Sequence, residues 1–338
     1  MNLQKNSLKL NHITLITILL LFLTSSVYAQ SSDSEHGSYP SYSLFGFVQQ
    51  QFVEDLTPGS PAGFSIQRAR MGVRGKISEN LSFRLFGGFI EPPQSNPQLV
   101  HAYMDYEVNS YLNIRAGQFL APFGIEGNEG IILNPAIERS LTLRRLNTFR
   151  MFSDIGVQAF GSLSRFNYAV ALVNGTGANR AEQIDPKDFI GRVGFNLTDG
   201  LEIGLSGHAG YYLTGQGLDE ERARYRAALD VNYKNGPLFI RGELVTRQDN
   251  ITNSQNVVMN GGYLLTGYKL TDSFEAIVRY EHLNPNSDVD NNRLEIITLG
   301  ANYYLMGRSR LSVNYEFRDD KVNEDLGNLL KAQLQFVF

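Results

Sequence analysis

Along much of the chain, polar and apolar residues alternate with a period of two. In Leu81, Phe83, Leu85, Gly87 and Phe89 the odd positions are apolar or small, with Ser82 and Arg84 between them. Leu201, Ile203, Leu205, Gly207, Ala209 and Tyr211 alternate with Glu202, Gly204, Ser206 and His208. Tyr225, Ala227, Leu229, Val231 and Tyr233 alternate with Arg224, Arg226, Asp230 and Asn232, and Leu311, Val313, Tyr315 and Phe317 with Ser312, Asn314, Glu316 and Arg318. Successive side chains of a strand point to opposite faces, so each segment has one apolar and one polar wall. A helix would scatter the same charges around its surface. Many runs alternate for about nine residues or more, the length a tilted strand needs to cross a bilayer. Strands of soluble sandwiches and propellers are shorter, about 5–6 residues on average.

The strands come in pairs joined by short turns. These are expected near Ser78-Glu79-Asn80, Asn109-Ser110, Ser164-Arg165, Thr198-Asp199-Gly200, Asn235-Gly236, Thr271-Asp272 and Gly307-Arg308, with Asn235-Gly236 the strongest hairpin signal. Longer polar stretches lie between the pairs, at 54–63, 91–97, 121–150, 174–187, 213–222, 248–256, 284–293 and 319–327. Seven short turns and eight long loops predict about sixteen strands, with both chain ends on the short-turn side. That asymmetry belongs to transmembrane antiparallel β-barrels, which place short turns in the periplasm and long loops outside. The fold class expected is therefore all-β, a closed membrane barrel. The last strand agrees: Leu330, Ala332, Leu334, Phe336 and Phe338 share one face and the chain ends on an aromatic residue. A terminal Phe on such a strand resembles the signal read by the barrel-insertion machinery of Gram-negative outer membranes.

The first residues read as an export signal over 1–29. Lys5 and Lys9 charge the amino end, Ile13 to Leu23 form an apolar run, and Val27-Tyr28-Ala29 supplies small residues for cleavage near Ala29. That run is shorter than the roughly 20 residues a membrane helix needs. Residues 30–41, rich in Ser, Asp, Gly and Pro, form a lead-in, and 42–338 the barrel. The expected location is the outer membrane, in contact with its lipid and lipopolysaccharide.

Composition narrows the chemistry. Cysteine is absent, which removes disulfides and thiol-metal sites. Without Lys5 and Lys9 the net charge of −4 becomes −6, which gives no support to nucleic-acid binding. If the apolar face meets lipid, the polar face lines a lumen. Ala69, Met71, Val73, Gly75 and Ile77 then face outward, and Arg68, Arg70, Arg74 and Lys76 stack inside. By the same parity Arg84, Arg115, Arg192, Arg224, Arg226, Arg241, Arg247 and Arg279 point inward. So do Asp105, Glu107, Glu202, Asp230, Glu243, Glu275, Glu281 and Glu316. Cations are in modest excess on the inner wall of an acidic chain, and guanidinium forks hold phosphate or carboxylate oxygens at two points. Inward Arg and Glu on neighbouring strands also pair with one another and stiffen the wall. The stack on 68–76 is assigned to ion contact, because four cations on one strand are hard to neutralise locally.

The stretch 121–150 is apolar for an exposed loop, with Ile131, Ile132, Leu133, Leu141, Leu143, Leu146 and Phe149. It is expected to fold inward between the fifth and sixth strands and narrow the pore, with Arg144 and Arg145 selecting ions. Packing on a neighbouring subunit is the alternative.

Several stretches resemble the phosphate-selective porin O and P family. They are Arg68-Ala69-Arg70-Met71-Gly72-Val73-Arg74-Gly75, Ala102-Tyr103-Met104-Asp105-Tyr106 and Leu112-Asn113-Ile114-Arg115-Ala116-Gly117-Gln118-Phe119 followed by Ala121-Pro122-Phe123-Gly124. Asp154-Ile155-Gly156-Val157-Gln158 and Val173-Asn174-Gly175-Thr176-Gly177 complete the set. The resemblance implies a sixteen-stranded, usually trimeric porin whose arginines line an anion path, with phosphate as the solute. Two features depart from it: Leu120 stands where members often carry Lys, and lysine is scarce throughout.

A general, non-selective porin and an outer-membrane barrel enzyme of the lipase or protease class are the rival functions. An enzyme needs a nucleophile, a base and an orienting group held together, yet His36, His101, His208 and His282 are scattered and no G-x-S-x-G occurs. His101 and Asp105 share a strand face and read as a satisfied lumen pair. Asp288, Asp290 and Asn292 mimic the start of a calcium loop, but Arg293 and Leu299 stand where Gly and the final Glu are required. No metal or other cofactor is expected.

Overall fold

The computed structural model describes residues 39–90, 97–182, 184–214, 220–252, 255–321 and 327–338. The export signal and residues 30–38 of the lead-in fall outside the described residues. The strands are β1 (Ser41–Asp55), β2 (Ala62–Lys76), β3 (Leu81–Ile90), β4 (Gln98–Asn109), β5 (Leu112–Leu120), β6 (Ser153–Leu163), β7 (Phe166–Val173) and β8 (Asp188–Thr198). They continue as β9 (Leu201–Thr214), β10 (Glu220–Asn235), β11 (Leu238–Asn250), β12 (Asn256–Lys269), β13 (Phe274–Asn284), β14 (Leu294–Met306), β15 (Ser309–Asp320) and β16 (Leu329–Val337). Each pairs antiparallel with its neighbours in sequence, and β1 pairs with β16, so the sheet closes on itself. Closure is what lets a sheet cross lipid, since every ladder amide finds a partner and no edge is left.

The short turns lie where the alternation breaks. β10 and β11 are joined by Gly236-Pro237, with Gly236 in the left-handed region at φ +54°. Outward positions such as Leu205, Leu244, Leu264 and Phe336 are exposed, while inward Gln49, Gln335, Thr298 and Ser312 are fully buried. At the seam, Gln49 Nε2 donates to Gln335 Oε1 (2.8 Å) and Gln51 Nε2 to Gln333 Oε1 (2.8 Å). Phe338 and Gly46 exchange two backbone hydrogen bonds of 3.0 Å. A Cβ on Gly46 would stand 2.5 Å from the Phe338 ring, so the closing strand requires glycine there.

The ladders slip in places, and each slip re-aims side chains. Gln49 pairs with Arg68 but Gln50 with Ile66, which leaves Gln67 as an extra residue in a bulge. The slip turns Ile66 and Phe64 outward, where both are exposed, while Arg68 stays inside. A second slip pairs Phe86 with His101 and Gly87 with Leu99, bulging Val100.

One interruption of the wall's hydrogen bonding lies beside the inward segment. The β4–β5 ladder ends at Ala102–Gln118 although β4 begins at Gln98, because the chain leaves β5 for the lumen. Asn179, from the β7–β8 connection, takes the vacant place. Its Oδ1 accepts from Leu99 N (3.1 Å) and its Nδ2 donates to Leu99 O (2.7 Å). Gln118 supports it by accepting from Asn179 N (2.9 Å).

Candidate functional site: the pore constriction

Residues 121–152, between β5 and β6, lie against inward side chains of the barrel's own wall. Gly124, at φ +65°, makes the entry turn, and Glu243 on β11 accepts from the next two amides, Ile125 N (3.1 Å) and Glu126 N (2.7 Å). Further along, Arg279 Nη1 donates to Glu138 O (2.8 Å), Asn302 Nδ2 to Pro135 O (2.9 Å) and Arg310 to Asn134 O. Thr142 N donates to Glu281 Oε2 (3.1 Å). Apolar residues fill the spaces between these ties. Ile131 packs with Phe47, Phe86 and Val100; Phe149 with Phe119, Ala171 and Ile190; Leu143 and Leu146 with Val245, Tyr263 and Leu265. This is why a nominal loop is so apolar.

Its carboxylates face the wall. Arg68 grips Glu138 with both terminal nitrogens (2.8 and 3.2 Å), and Gln51 adds a donor at 3.0 Å. Burial opposes ionisation of Glu138, but the Arg68 guanidinium and the Gln51 amide outweigh it and hold its carboxyl at about 2. Arg241 holds Glu129 in the same two-point manner (2.9 and 3.2 Å). Glu126 accepts from Ser140 N (2.9 Å) and lies 3.8 Å from Arg279.

Its arginines face the other way. A short helix, α1 (Leu141–Leu146), is capped by Ser140 Oγ, which accepts from Leu143 N (3.1 Å). Thr142, Leu143 and Leu146 are buried against β11–β13, which leaves Arg144 and Arg145 exposed on the opposite side. Neither guanidinium has a hydrogen-bond or ion-pair partner among the described residues. The constriction segment therefore offers positive charge to the lumen and hides its negative charge.

The wall arginines fall into two kinds. Arg115 is bidentate to Asp105 (2.7 and 2.9 Å), Arg192 bridges Glu202 and Asp230, Arg247 holds Asp249, and Glu316 takes both Arg318 and Lys331. Others rest on aromatic rings. Arg226 lies over Phe123 (4.4 Å) and Phe149 (4.8 Å), Arg224 over Tyr212 (4.6 Å) and Arg74 over Phe45 (5.4 Å). Arg70 lies over Phe47 (5.6 Å) and Phe86 (5.9 Å). Lys76, at the short-turn mouth, touches Glu79 O (3.4 Å). At Arg224 and Arg226 the ring contact leaves the charge uncancelled, whereas the two-point carboxylate pair of Arg115, itself also stacked on Tyr103 (4.0 Å), cancels it.

The structure sorts these cations by their surroundings. Arg144, Arg145, Arg224 and Arg226 belong to the segment and the wall beside it; Arg70, Arg74 and Lys76 to β2. Two expectations need correction. Arg68 is neutralised after all, by Glu138 seventy residues away, because the inward segment brings a carboxylate that no neighbouring strand supplies. The His101–Asp105 pair does not form: Asp105 is taken by Arg115, and both His101 ring nitrogens lack a partner. Instead His208 Nε2 meets Asp188 Oδ2 (2.8 Å), and His208 Nδ1 accepts from Arg226 Nε (3.0 Å). The nitrogen that would serve a nucleophile is thus occupied by an arginine. Parity with outward Leu311 was the available signal for Arg310, which is also inward and was missed.

The family pattern described as "Putative beta-barrel porin-2, OmpL-like" matches residues 73–337. No curated protein sequence matches the chain. Among solved structures, the chain is similar to the anion-selective porin from Comamonas acidovorans, with 16% identity over 88% of this chain and 100% of that one, TM-score 0.68. It is also similar to the trimer form of OmpT, an outer membrane protein of Vibrio cholerae (11% identity, 89% and 100% covered, TM-score 0.68). A third is the outer membrane channel DcaP of Acinetobacter baumannii (12% identity, 91% and 100% covered, TM-score 0.67). At these identities the likeness is one of fold.

Proposed function

The chain belongs to the beta-barrel porin-2, OmpL-like family, and we propose that it gives small anions, phosphate among them, passive passage across the outer membrane. The observation that carries this reading is the orientation of residues 121–152, whose carboxylates turn to the wall while Arg144 and Arg145 turn to the lumen. Arg224 and Arg226, stacked on rings instead of paired with acids, extend the positive surface along the wall. Fixed guanidinium groups replace part of an anion's hydration shell and repel cations. Arg74 and Lys76 at the short-turn mouth, which opens to the periplasm in this reading, continue the track. Phosphate is the favoured solute because its tetrahedral oxygens accept two-point donors, and because the motifs at 68–75 and 112–124 resemble the phosphate-selective porins O and P.

We further infer export by the signal at 1–29, insertion through the strand ending at Phe338, and assembly as a homotrimer in lipid and lipopolysaccharide. The paired wall favours a non-selective porin as the second reading, since Arg115, Arg192 and Arg247 are each cancelled by acids. Zero-current potentials across a salt gradient in planar bilayers decide between them. Anion selectivity that falls or reverses when Arg144 and Arg145 are both replaced by Glu supports the proposal. A potential near zero supports the second reading, and cation selectivity or no channel refutes the first.

A further inference from the structure

The outer wall carries mostly apolar side chains, and Gln50 on β1 breaks that rule. It alternates with the inward Gln49 and Gln51, so it faces outward, where it is exposed. Its side-chain amide has no hydrogen-bond partner among the described residues. Other outward amides are satisfied: Asn260 Nδ2 donates to Ser287 Oγ (2.8 Å) and Gln248 Nε2 to Asn250 Oδ1 (3.2 Å). The side chains around Gln50 can neither donate nor accept. Leu334 and Ile66 oppose it across its two ladders, and Val48 and Phe52 flank it on the same face. Phe52 and Phe64, their rings 5.0 Å apart, form the next pair towards the long loops, so the amide lies inside the apolar belt. The same patch protrudes. Phe64 is 76% exposed, and the bulge at Gln67 is what sets Phe64 and Ile66 on this face.

Hydrocarbon offers an amide neither donor nor acceptor, so the group is costly there unless protein covers it. A second copy of this face supplies what is missing, because a primary amide is its own complement. Amides of this chain already pair in that way at the barrel seam, Gln49 with Gln335 and Gln51 with Gln333. Around a three-fold axis each Gln50 Nε2 can donate to Oε1 of the next copy, and three such bonds close a ring with every acceptor used. A residue meets its own copies only close to the axis. We propose that the outer face of β1, with the adjoining faces of β2 and β16, is where copies of this chain associate. Gln50 then lies beside the three-fold axis, with Phe64, Ile66 and Leu334 packed around it. This placement rests on the homotrimer reading and specifies its wall.

The chain contains no cysteine, so one introduced thiol reports its own neighbours. Gln50→Cys, oxidised with copper phenanthroline in native outer membranes, should give covalent homodimers holding up to about two thirds of the chains, since three thiols at one axis form one bond. Leu264→Cys, exposed on β12, should give none. Gln50→Leu suits lipid better than the parent residue, so it should lower the temperature at which the oligomer dissociates in native electrophoresis only if the amide bonds to its copies. An unchanged or raised dissociation temperature overturns the amide contact. Homodimers from Leu264→Cys in place of Gln50→Cys, or none from Gln50→Cys while native mass spectrometry shows a trimeric parent, overturn this wall and leave the homotrimer reading standing. An adduct of Gln50→Cys with a different protein also overturns the proposal. A monomeric parent overturns both readings, with Gln50 then facing lipid.

Discussion

Replacing Glu138 by Gln removes one charge from the seat of the inward segment while keeping nearly the same shape. Arg68 would keep its position on β2 beside Gln49 Oε1 (3.0 Å) but lose the Glu138 carboxylate. The side chains of the pair are 14% and 9% exposed, so little of the interaction is lost to solvent screening. Two routes give the magnitude. Depression of the Glu138 carboxyl from 4.5 to about 2 corresponds to about 3 kcal/mol of preferential interaction with the charged form. Breaking a buried pair by removing one partner typically costs about 3–5 kcal/mol. At the lower figure the opening equilibrium of the segment rises about a hundred-fold. Hydrogen exchange read by mass spectrometry on peptides from 131–146 reports that equilibrium directly, because amides there exchange only when the segment leaves the wall. The expected outcome is exchange faster by about two orders of magnitude in 131–146, with strand peptides unchanged. Pairing the substitution with Arg68→Met should recover most of the protection, since the uncompensated cation is then gone. Exchange indistinguishable from the parent in Glu138→Gln would refute the claim that this ion pair holds the segment.

Further outcomes follow from neighbouring geometry. The Glu138 carboxyl sits below its unfolded value, so its contribution is complete above about pH 4.5 and fades as pH falls towards 2; exchange in 131–146 should stay flat from pH 7 to 5, after correction for intrinsic rates, and rise on further acidification. Gly124→Ala places a side chain at φ +65° with its Cβ 2.1 Å from Glu243 Oε2; the backbone alone costs about 1–2 kcal/mol, and faster exchange at 124–130 should show it. Asp105→Asn weakens the two-point hold on Arg115 and leaves that guanidinium uncancelled in the lumen, so the zero-current potential should move towards stronger anion selectivity. A shift in the opposite direction would remove Arg115 from the ion path.

The barrel was legible in the sequence because its signal is local. Leu201 to Tyr211 and Leu311 to Phe317 alternate by covalent geometry whatever they later touch, and the turn residues mark where alternation stops. The apolar character of 131–149 also announced burial, although not which walls would cover it. Partner choice was not legible. Arg68 meets Glu138, and His208 joins Asp188 to Arg226, only because ladder registers and the path of the inward segment bring them together. The bulge at Gln67 hid a second fact, since a strict period of two would have sent Phe64 and Ile66 inside with Arg68. An extra residue leaves no mark in composition or hydropathy. It changes only the count.

The vacancy beside Leu99 shows what it costs a membrane wall to lend one of its strands to the lumen. When β5 gives up its continuation, the Leu99 amide and carbonyl of β4 lose the partners that a next strand residue would have supplied. Asn179 Oδ1 accepts from the Leu99 amide, and Asn179 Nδ2 and Gln118 Nε2 both donate to the Leu99 carbonyl, so two side chains splice the hydrogen-bond circuit. Aspartate lacks the donor, and serine cannot mimic the paired geometry of a peptide group. The segment can thus leave the wall while the wall's hydrogen bonds stay satisfied, and the repair draws on β5 itself and on a different loop from the one that turns inward.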